Sequence, residues 1–351
     1  MNLLGVGRAF PPTYAEQREI LGLMRRRWGQ RGASSRVADI FEHVQVRGRH
    51  LALPIEAYDT LRSFGDANEA WTHIGTGLGA AALSDALSRV GLALADLDVL
   101  LCASATGFAV PTLDARLVNQ LGLRRDLVRV PLVGLGCVAG AAGIARASEL
   151  VRAWPGRLAA VLCVELNSLT VQRDDTSVAA MVAAALFGDG AACALIGGPE
   201  RAGPRGPRIV ATRSCFYPDT ERVMGWKVDE RGFHVQLTGG VPRMVTEHVR
   251  ADVERFLADH GVRLDRVHRW IAHPGGPKVL EALESAFALP RDALAPAWAS
   301  LRSLGNLSSA SVLCVLADVL AGPTPPAGAH GLLFAMGPGF CAELVLLRWE
   351  G

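Results

Sequence analysis

The chain has 351 residues, of which 50% are hydrophobic and 20% charged, and its 36 basic against 34 acidic side chains leave a formal net charge of +2. So apolar a chain is neither disordered nor fibrous, its length supplies a large core without disulfides or metals, and its near-zero charge excludes a bulk polyanion binder. The most apolar stretch, residues 181–198, is broken by Gly188-Asp189-Gly190, and no basic segment followed by a long apolar run opens the chain, so the expectation is a cytoplasmic protein without a membrane span.

In chain order, the first 75 residues are rich in arginine and read as helical decoration. Apolar runs at 98–105, 127–132, 158–165 and 191–196 read as buried strands, with helical spacing at 113–123 and 138–154 between them. That alternation predicts an α/β fold with a largely parallel sheet. Residues 197–207 (GGPERAGPRGP) read as a linker. The same grammar then restarts with a strand at 209–214, a hairpin-like 216–237, a helix at 241–260 and a strand at 269–272. It ends with a helix at 308–320 and strands at 331–336 and 341–349. Two halves, 1–204 and 205–351, thus predict a duplicated α/β unit.

Seven cysteines, an odd number with no CxxC pair, do not form a disulfide framework or a zinc knuckle, and most read as small buried hydrophobes. Cys137 stands apart. In PLVGLGCVAGAAG (131–143) an apolar strand enters a glycine turn and a small-residue helix, which places the thiol near a helix N-terminus that favours its thiolate. Gly134, Gly136 and Gly140 permit a tight turn and close approach of a substrate. His273, in WIAHPGGPK (270–278), sits at the tip of a strand, where α/β folds place ligand chemistry. Asn306, in LGNLSSA (304–310), reads by itself as a turn and helix cap.

Taken in order, GC at 136–137, HPGGPK at 273–278 and GNLSSAS at 305–311 resemble the thiolase superfamily of condensing enzymes, and more narrowly the type III polyketide synthases, the chalcone synthase-like enzymes. FGDGAA at 187–192, GPGF at 337–340 and the segment 219–242 extend the likeness from about residue 35 to the end. The resemblance implies a thiolase-like fold whose duplicated halves form an αβαβα core, with Cys137 in the first half and His273 and Asn306 in the second. It implies that Cys137 attacks an acyl-CoA starter and holds the acyl chain. His273 takes the thiol proton, and His273 with the Asn306 amide stabilises the enolate left when malonyl-CoA loses CO₂. No cofactor beyond the CoA thioesters and no metal is implied.

By the same resemblance Phe187 is a gate between the CoA tunnel and the cavity, and Val235 stands where plant relatives carry Phe, with Trp226 or Phe233 able to fill the lost space. Thr106, Asn167, Thr170 and Ser308 match positions that line the family cavity, although they read equally well as turn and cap residues. Gly337, Pro338 and Gly339 match the loop shaping the cyclisation chamber, with Met336 beside them. Arg47, Arg49 and Lys278 are candidates for the CoA phosphates, against the plainer reading of a solvated arginine face. Homodimers are the rule in the family, and the residue that crosses the interface falls on Val110. The segment 219–242 and HPGGPK are similar to alkylpyrone and alkylresorcinol synthases, which implies a fatty acyl starter and a pyrone or resorcinol product.

Two alternatives accompany this reading. A β-ketoacyl-carrier-protein synthase III uses the same three residues, but its His motif resembles HQAN rather than HPGG. A non-catalytic acyl-binding subunit on the same scaffold typically lacks the nucleophile, which is present here. Degradative thiolases need a second cysteine in a CxG context, which Cys341 does not provide. A nucleic-acid role has neither an aromatic–basic motif nor the charge.

Overall fold

The computed structural model describes residues 1–32, 34–201, 206–290 and 292–350. The first half contributes β1 (Asn2–Ala9), β2 (Thr13–Glu16), α1 (Gln17–Gly32), α2 (Ser35–His43), β3 (Gly48–Leu51) and α3 (Phe64–Arg89). It continues with β4 (Val99–Ala103), α4 (Leu113–Leu121), β5 (Val128–Leu132), α5 (Ala139–Ala153), β6 (Leu158–Leu166), α6 (Val178–Leu186) and β7 (Asp189–Gly197). The second half contributes β8 (Arg208–Phe216), β9 (Met224–Asp229), β10 (Gly232–Leu237), then α7 (Val241–Met244) and α8 (Arg250–Asp259), joined through a π-helical turn. It closes with β11 (Val267–Ala272), α9 (Pro277–Phe287), α10 (Ala295–Leu304), α11 (Ser309–Ala321), β12 (His330–Gly337) and β13 (Cys341–Arg348).

Nine strands join in the order β11-β12-β13-β8-β1-β7-β6-β4-β5. Read outward from its centre, the order is the same on both sides. β1-β7-β6-β4 and β8-β13-β12-β11 each run antiparallel, antiparallel, then parallel. The predicted duplication is visible in that repeat, although the strand pairing of β1 with β8 is a single residue pair, Asn2 with Arg208. The proposed division at 204/205 falls in the connection between β7 and β8, where residues 202–205 lie outside the described residues.

Two expectations need correcting. The sheet is mixed rather than largely parallel, because apolar runs reveal strands but not their direction. Only Pro338 to Phe340 separate β12 from β13, too short a link for a parallel crossover. Nor are the first 75 residues mere decoration: β1 sits mid-sheet and α3 packs on β1, β6 and β7. Gly7 makes that possible, since a Cβ there would collide with the α3 backbone at Ala82 and Ala86.

The layers follow from which side chains meet. Gly79 of α3 faces Leu162 and Val164 of β6, whereas Gly143 of α5 faces Val161, so the two helices cover opposite faces of that strand. In the other half, Arg146 of α5 donates to Ser214 of β8, while Tyr217 just beyond β8 and Arg213 within it turn to Asp252 and Asp259 of α8. Helix α5 therefore lies between strands of both halves. Helix α11 lies beside it, with the Ser309 carbonyl against Gly140. Both are apolar nearly all round and buried along most of their length, as a central helical layer requires.

Candidate active site

The nucleophile candidate lies where β5 turns into α5. Gly134 and Gly136 have φ of +85° and +53°, and Cys137 occupies the single 3-10 turn before α5. A Cβ on Gly136 would lie 2.8 Å from Pro338 Cδ, and one on Gly337 would lie 2.7 Å from the Leu135 carbonyl. The Gly337–Gly339 loop is thus seated directly on the Cys137 turn. Pro338 also approaches Gly225 at the start of the β9–β10 hairpin.

Cys137 is buried, and its thiol donates to Ser308 Oγ at 3.6 Å. Burial pushes this thiol up to about 12; the side chains of Ser308 and Asn306 and its own backbone N–H pull it down, and the Glu165 carboxylate pushes it further up. The helix terminus foreseen as favouring a thiolate is present, but it works against desolvation and a nearby negative charge. Anything that takes the proton locally, or brings further donors to the sulfur, shifts that balance.

Asn306 follows α10, and its backbone is held in a short parallel bridge. Its N–H donates to the Leu186 carbonyl at 2.9 Å, and its carbonyl accepts from Gly188 N–H at 3.0 Å. Its side-chain oxygen accepts from Ser308 N–H at 2.8 Å, and Nδ2 donates to the Gly275 carbonyl at 3.4 Å. The amide orientation is thereby set, with its nitrogen toward the His273 segment. His273 closes β11: its N–H donates to the Phe334 carbonyl at 3.1 Å, and its carbonyl accepts from Gly275 N–H at 2.9 Å. The imidazole is buried, its Nδ1 has no partner, and burial pushes it down to about 4. A neutral imidazole with a free nitrogen can accept a proton or hydrogen-bond an oxygen.

Phe187 links this group to a cavity. Its backbone pairs with Asn306, while the residue itself lines an apolar cavity together with Asn167, Thr170, Trp226, Phe233 and Val235. Trp226 and Val235 face each other across the hairpin. Thr170 also lines an adjoining cavity that contains Thr106. Asn167 donates to the Gly188 carbonyl at 2.6 Å and leaves its side-chain oxygen without a partner.

The arginine pair separates. Arg47 is exposed, as is Lys278 in the first turn of α9. Arg49 is not part of a solvated face: it is 1% exposed and its guanidinium is turned inward, donating to Gln17 Oε1 and to the carbonyls of Ala184 and Ala185. Arg47 lies before β3 begins at Gly48, so the strand's alternation, which would put residues two apart on one face, does not bind it to the environment of Arg49.

Sequence reasoning missed Glu165. It is the penultimate residue of β6, fully buried, and accepts from Ala105 N–H and Thr106 Oγ1, each at 3.0 Å, and from Ser309 Oγ. Burial raises its carboxyl to about 7 against those bonds. An acidic residue closing an otherwise apolar strand was the available signal.

The chain matches the family model for the N-terminal domain of chalcone and stilbene synthases over residues 2–200 and that for their C-terminal domain over residues 208–349. It is 53% identical over 307 residues to the 1,3,6,8-tetrahydroxynaphthalene synthase of Streptomyces peucetius, covering 87% of this chain and 81% of that one. It is 33% identical to a putative chalcone synthase of Bacillus subtilis, over 90% of this chain and 89% of that one. Its fold superposes on the crystal structure of the tetrahydroxynaphthalene synthase of Streptomyces coelicolor with a TM-score of 0.94 at 31% identity, over the whole of both chains. The chain belongs to the chalcone and stilbene synthase family and is a type III polyketide synthase, a decarboxylating condensing enzyme.

Proposed function

We propose that the Cys137 thiol loads an acyl group from CoA and that His273 and Asn306 run the extension. In loading, the sulfur attacks the thioester carbonyl, its proton passes to His273, and CoA leaves as the free thiol. Malonyl-CoA then loses CO₂, and the electron pair of the broken C–C bond becomes a thioester enolate. The His273 imidazole and the Asn306 amide hydrogen-bond its oxygen. The enolate carbon attacks the acyl carbon on Cys137, a C–C bond forms and the C–S bond breaks. The observation that carries this reading is the cluster at the Cys137 turn: the thiol is hydrogen-bonded to Ser308 Oγ at 3.6 Å, and the Asn306 amide is held by Ser308 N–H and by the Gly275 carbonyl, two residues beyond His273. The thioesters supply all the bonds broken and formed, so the reaction balances without a further cofactor.

The product we favour is a polyhydroxylated aromatic built from malonyl-CoA alone. Its support is the family of relatives, named for tetrahydroxynaphthalene, 3,5-dihydroxyphenylacetyl-CoA and phloroglucinol. A naphthalene skeleton of ten carbons corresponds to five two-carbon units. The second reading, a fatty acyl starter giving a pyrone or resorcinol, is supported by the apolar side chains of Ile20, Leu23 and Met24, which extend the Phe187 cavity toward α1. Labelled malonyl-CoA, offered alone and with acyl-CoA starters in the absence of carrier protein, separates them. Aromatic product from malonyl-CoA alone supports the first; turnover only with fatty starters replaces it by the second. No product without carrier protein refutes both, in favour of a synthase III-like enzyme.

Arg47 and Lys278 are our candidates for the CoA phosphates, since both are exposed cations. We further propose a homodimer formed along the edge strand β5, where Phe108, Val110 and Val133 are exposed. Among the described residues no helix is long and apolar enough to cross a membrane, and a cytoplasmic location is part of the proposal.

A further inference from the structure

Among the described residues Arg49 is the largest side chain buried to this degree. A charged group is rarely buried so fully unless its donors are used, and here those of Nη1 and Nη2 are used at one place, while Nε has no partner. Its guanidinium caps the last turn of α6, donating to the Ala184 and Ala185 carbonyls, and Gln17 braces it by accepting from Nη1 at 2.6 Å and donating to the Ala185 carbonyl at 2.9 Å. Its stem runs past the residue after Phe187 and the residue before Asn306, on the two sides of the bridge. A Cβ on Gly188 would lie 3.1 Å from Arg49 Cβ, and one on Gly305 3.4 Å from Arg49 Cδ. The bridge itself ties Leu186 and Gly188 to Asn306, immediately after the capped helix end.

We propose that Arg49 is a positioning residue of the condensation: by clamping the end of α6 and packing between Gly188 and Gly305, it holds Phe187 and Asn306 in the register that aims the Asn306 amide at the enolate. The planar fork matters, because two backbone carbonyls and an amide oxygen are met from one rigid group. A lysine keeps the charge but cannot reproduce that geometry. The effect falls on the step that uses Asn306, decarboxylation of malonyl-CoA, rather than on loading of Cys137 or on affinity for CoA. The proposal rests on the assignment of Asn306 made above.

The test compares Arg49→Lys, Gln17→Leu and Arg49→Ala with Asn306→Ala. Malonyl-CoA decarboxylation, acyl loading of Cys137 by mass spectrometry, and kcat and KM are measured separately. Arg49→Lys is expected to lose ~10- to 100-fold in decarboxylation and in kcat, with loading and KM within ~3-fold. Gln17→Leu shows the same signature more weakly while leaving the arginine in place. Guanidinium ion restores decarboxylation to Arg49→Ala, which a general loss of folding would not permit. A raised KM with unchanged kcat, steeper at low salt, overturns the proposal in favour of a CoA-phosphate contact. Wild-type decarboxylation by Arg49→Lys and Gln17→Leu, with Asn306→Ala inactive, overturns it alone. Full decarboxylation by Asn306→Ala overturns the assignment beneath it.

Discussion

Phe187 and Asn306 are paired backbone to backbone in an isolated parallel bridge, which ties a residue lining the cavity to the residue whose amide is held by Ser308, the hydrogen-bond partner of Cys137. Their pairing depends on Gly305, at φ +70°, where a Cβ would lie 2.5 Å from the Leu186 carbonyl. Gly305→Ala is therefore expected to cost both backbone strain and the bridge. Chain extension should fall ~100-fold and the melting temperature by several degrees. Steady-state kinetics with calorimetry checks this, and activity within threefold of wild type would show that the bridge does not set the geometry.

Ser308 is a hydrogen-bond partner of the nucleophile, and its hydroxyl lowers the thiol pKa. Ser308→Ala should shift the pH dependence of Cys137 alkylation to higher pH, since the thiolate loses a donor while its burial is unchanged. Iodoacetamide labelling across a pH series, read by mass spectrometry, tests the direction. A shift to lower pH would mean that Ser308 stabilises the thiol instead.

Glu165 binds its proton more tightly folded than unfolded, at about 7 against an ordinary 4.5. Its contribution to stability is full below the unfolded value and is lost as pH rises through about 7, to a total on the order of 3 kcal/mol. His273, pushed down to about 4, has the opposite sign: its contribution is present above about 6.5 and lost as pH falls through 4. Glu165→Gln isolates the first effect. Relative to wild type its stability should improve steadily between about pH 5 and 8, whatever its offset. Denaturant titrations that give a constant difference across that range would contradict the assignment.

Val235 faces Trp226 on the hairpin that walls the cavity. Val235→Phe would fill space without disturbing the Cys137 turn, so the expected result is a product shorter by at least one two-carbon unit, with a melting temperature within a few degrees of wild type. Product masses from labelled malonyl-CoA decide it; an unchanged product would place the growing chain elsewhere.

Val110 is 80% exposed near the sheet edge formed by β5. A charge there should prevent burial of the patch against a second copy. The wild type is expected to sediment as a dimer and Val110→Arg as a monomer; a variant that sediments as the wild type does would remove this edge from the proposed interface.

Several elements were legible because their signals are local. Runs such as residues 158–165 are apolar up to their closing Glu165 and bounded by turns, and the structure has a strand there, Leu158–Leu166. The glycines around Cys137 announced a tight strand-to-helix turn, and three ordered motifs tied distant residues to one family. β1 was hidden because its Gly5 and Gly7 dilute the strand pattern, and they are there to admit α3. Arg49 was misplaced for a related reason: an arginine in a basic segment looks solvated until the carbonyls that bury it come from a helix 135 residues away.

The amino-acid sequence by itself determined the family, the duplicated alternation of strands and helices, and which cysteine, histidine and asparagine stand at turns. Those properties reside in periodicity, turn chemistry and short motifs, which neighbours along the chain encode. Only the tertiary structure decided strand direction, the burial of Arg49 and Glu165, and the bridge that joins Phe187 to Asn306. Each of these depends on pairing or desolvating groups far apart in the chain, and the cost of burying a charge or a backbone amide is set by partners that only the fold brings within reach.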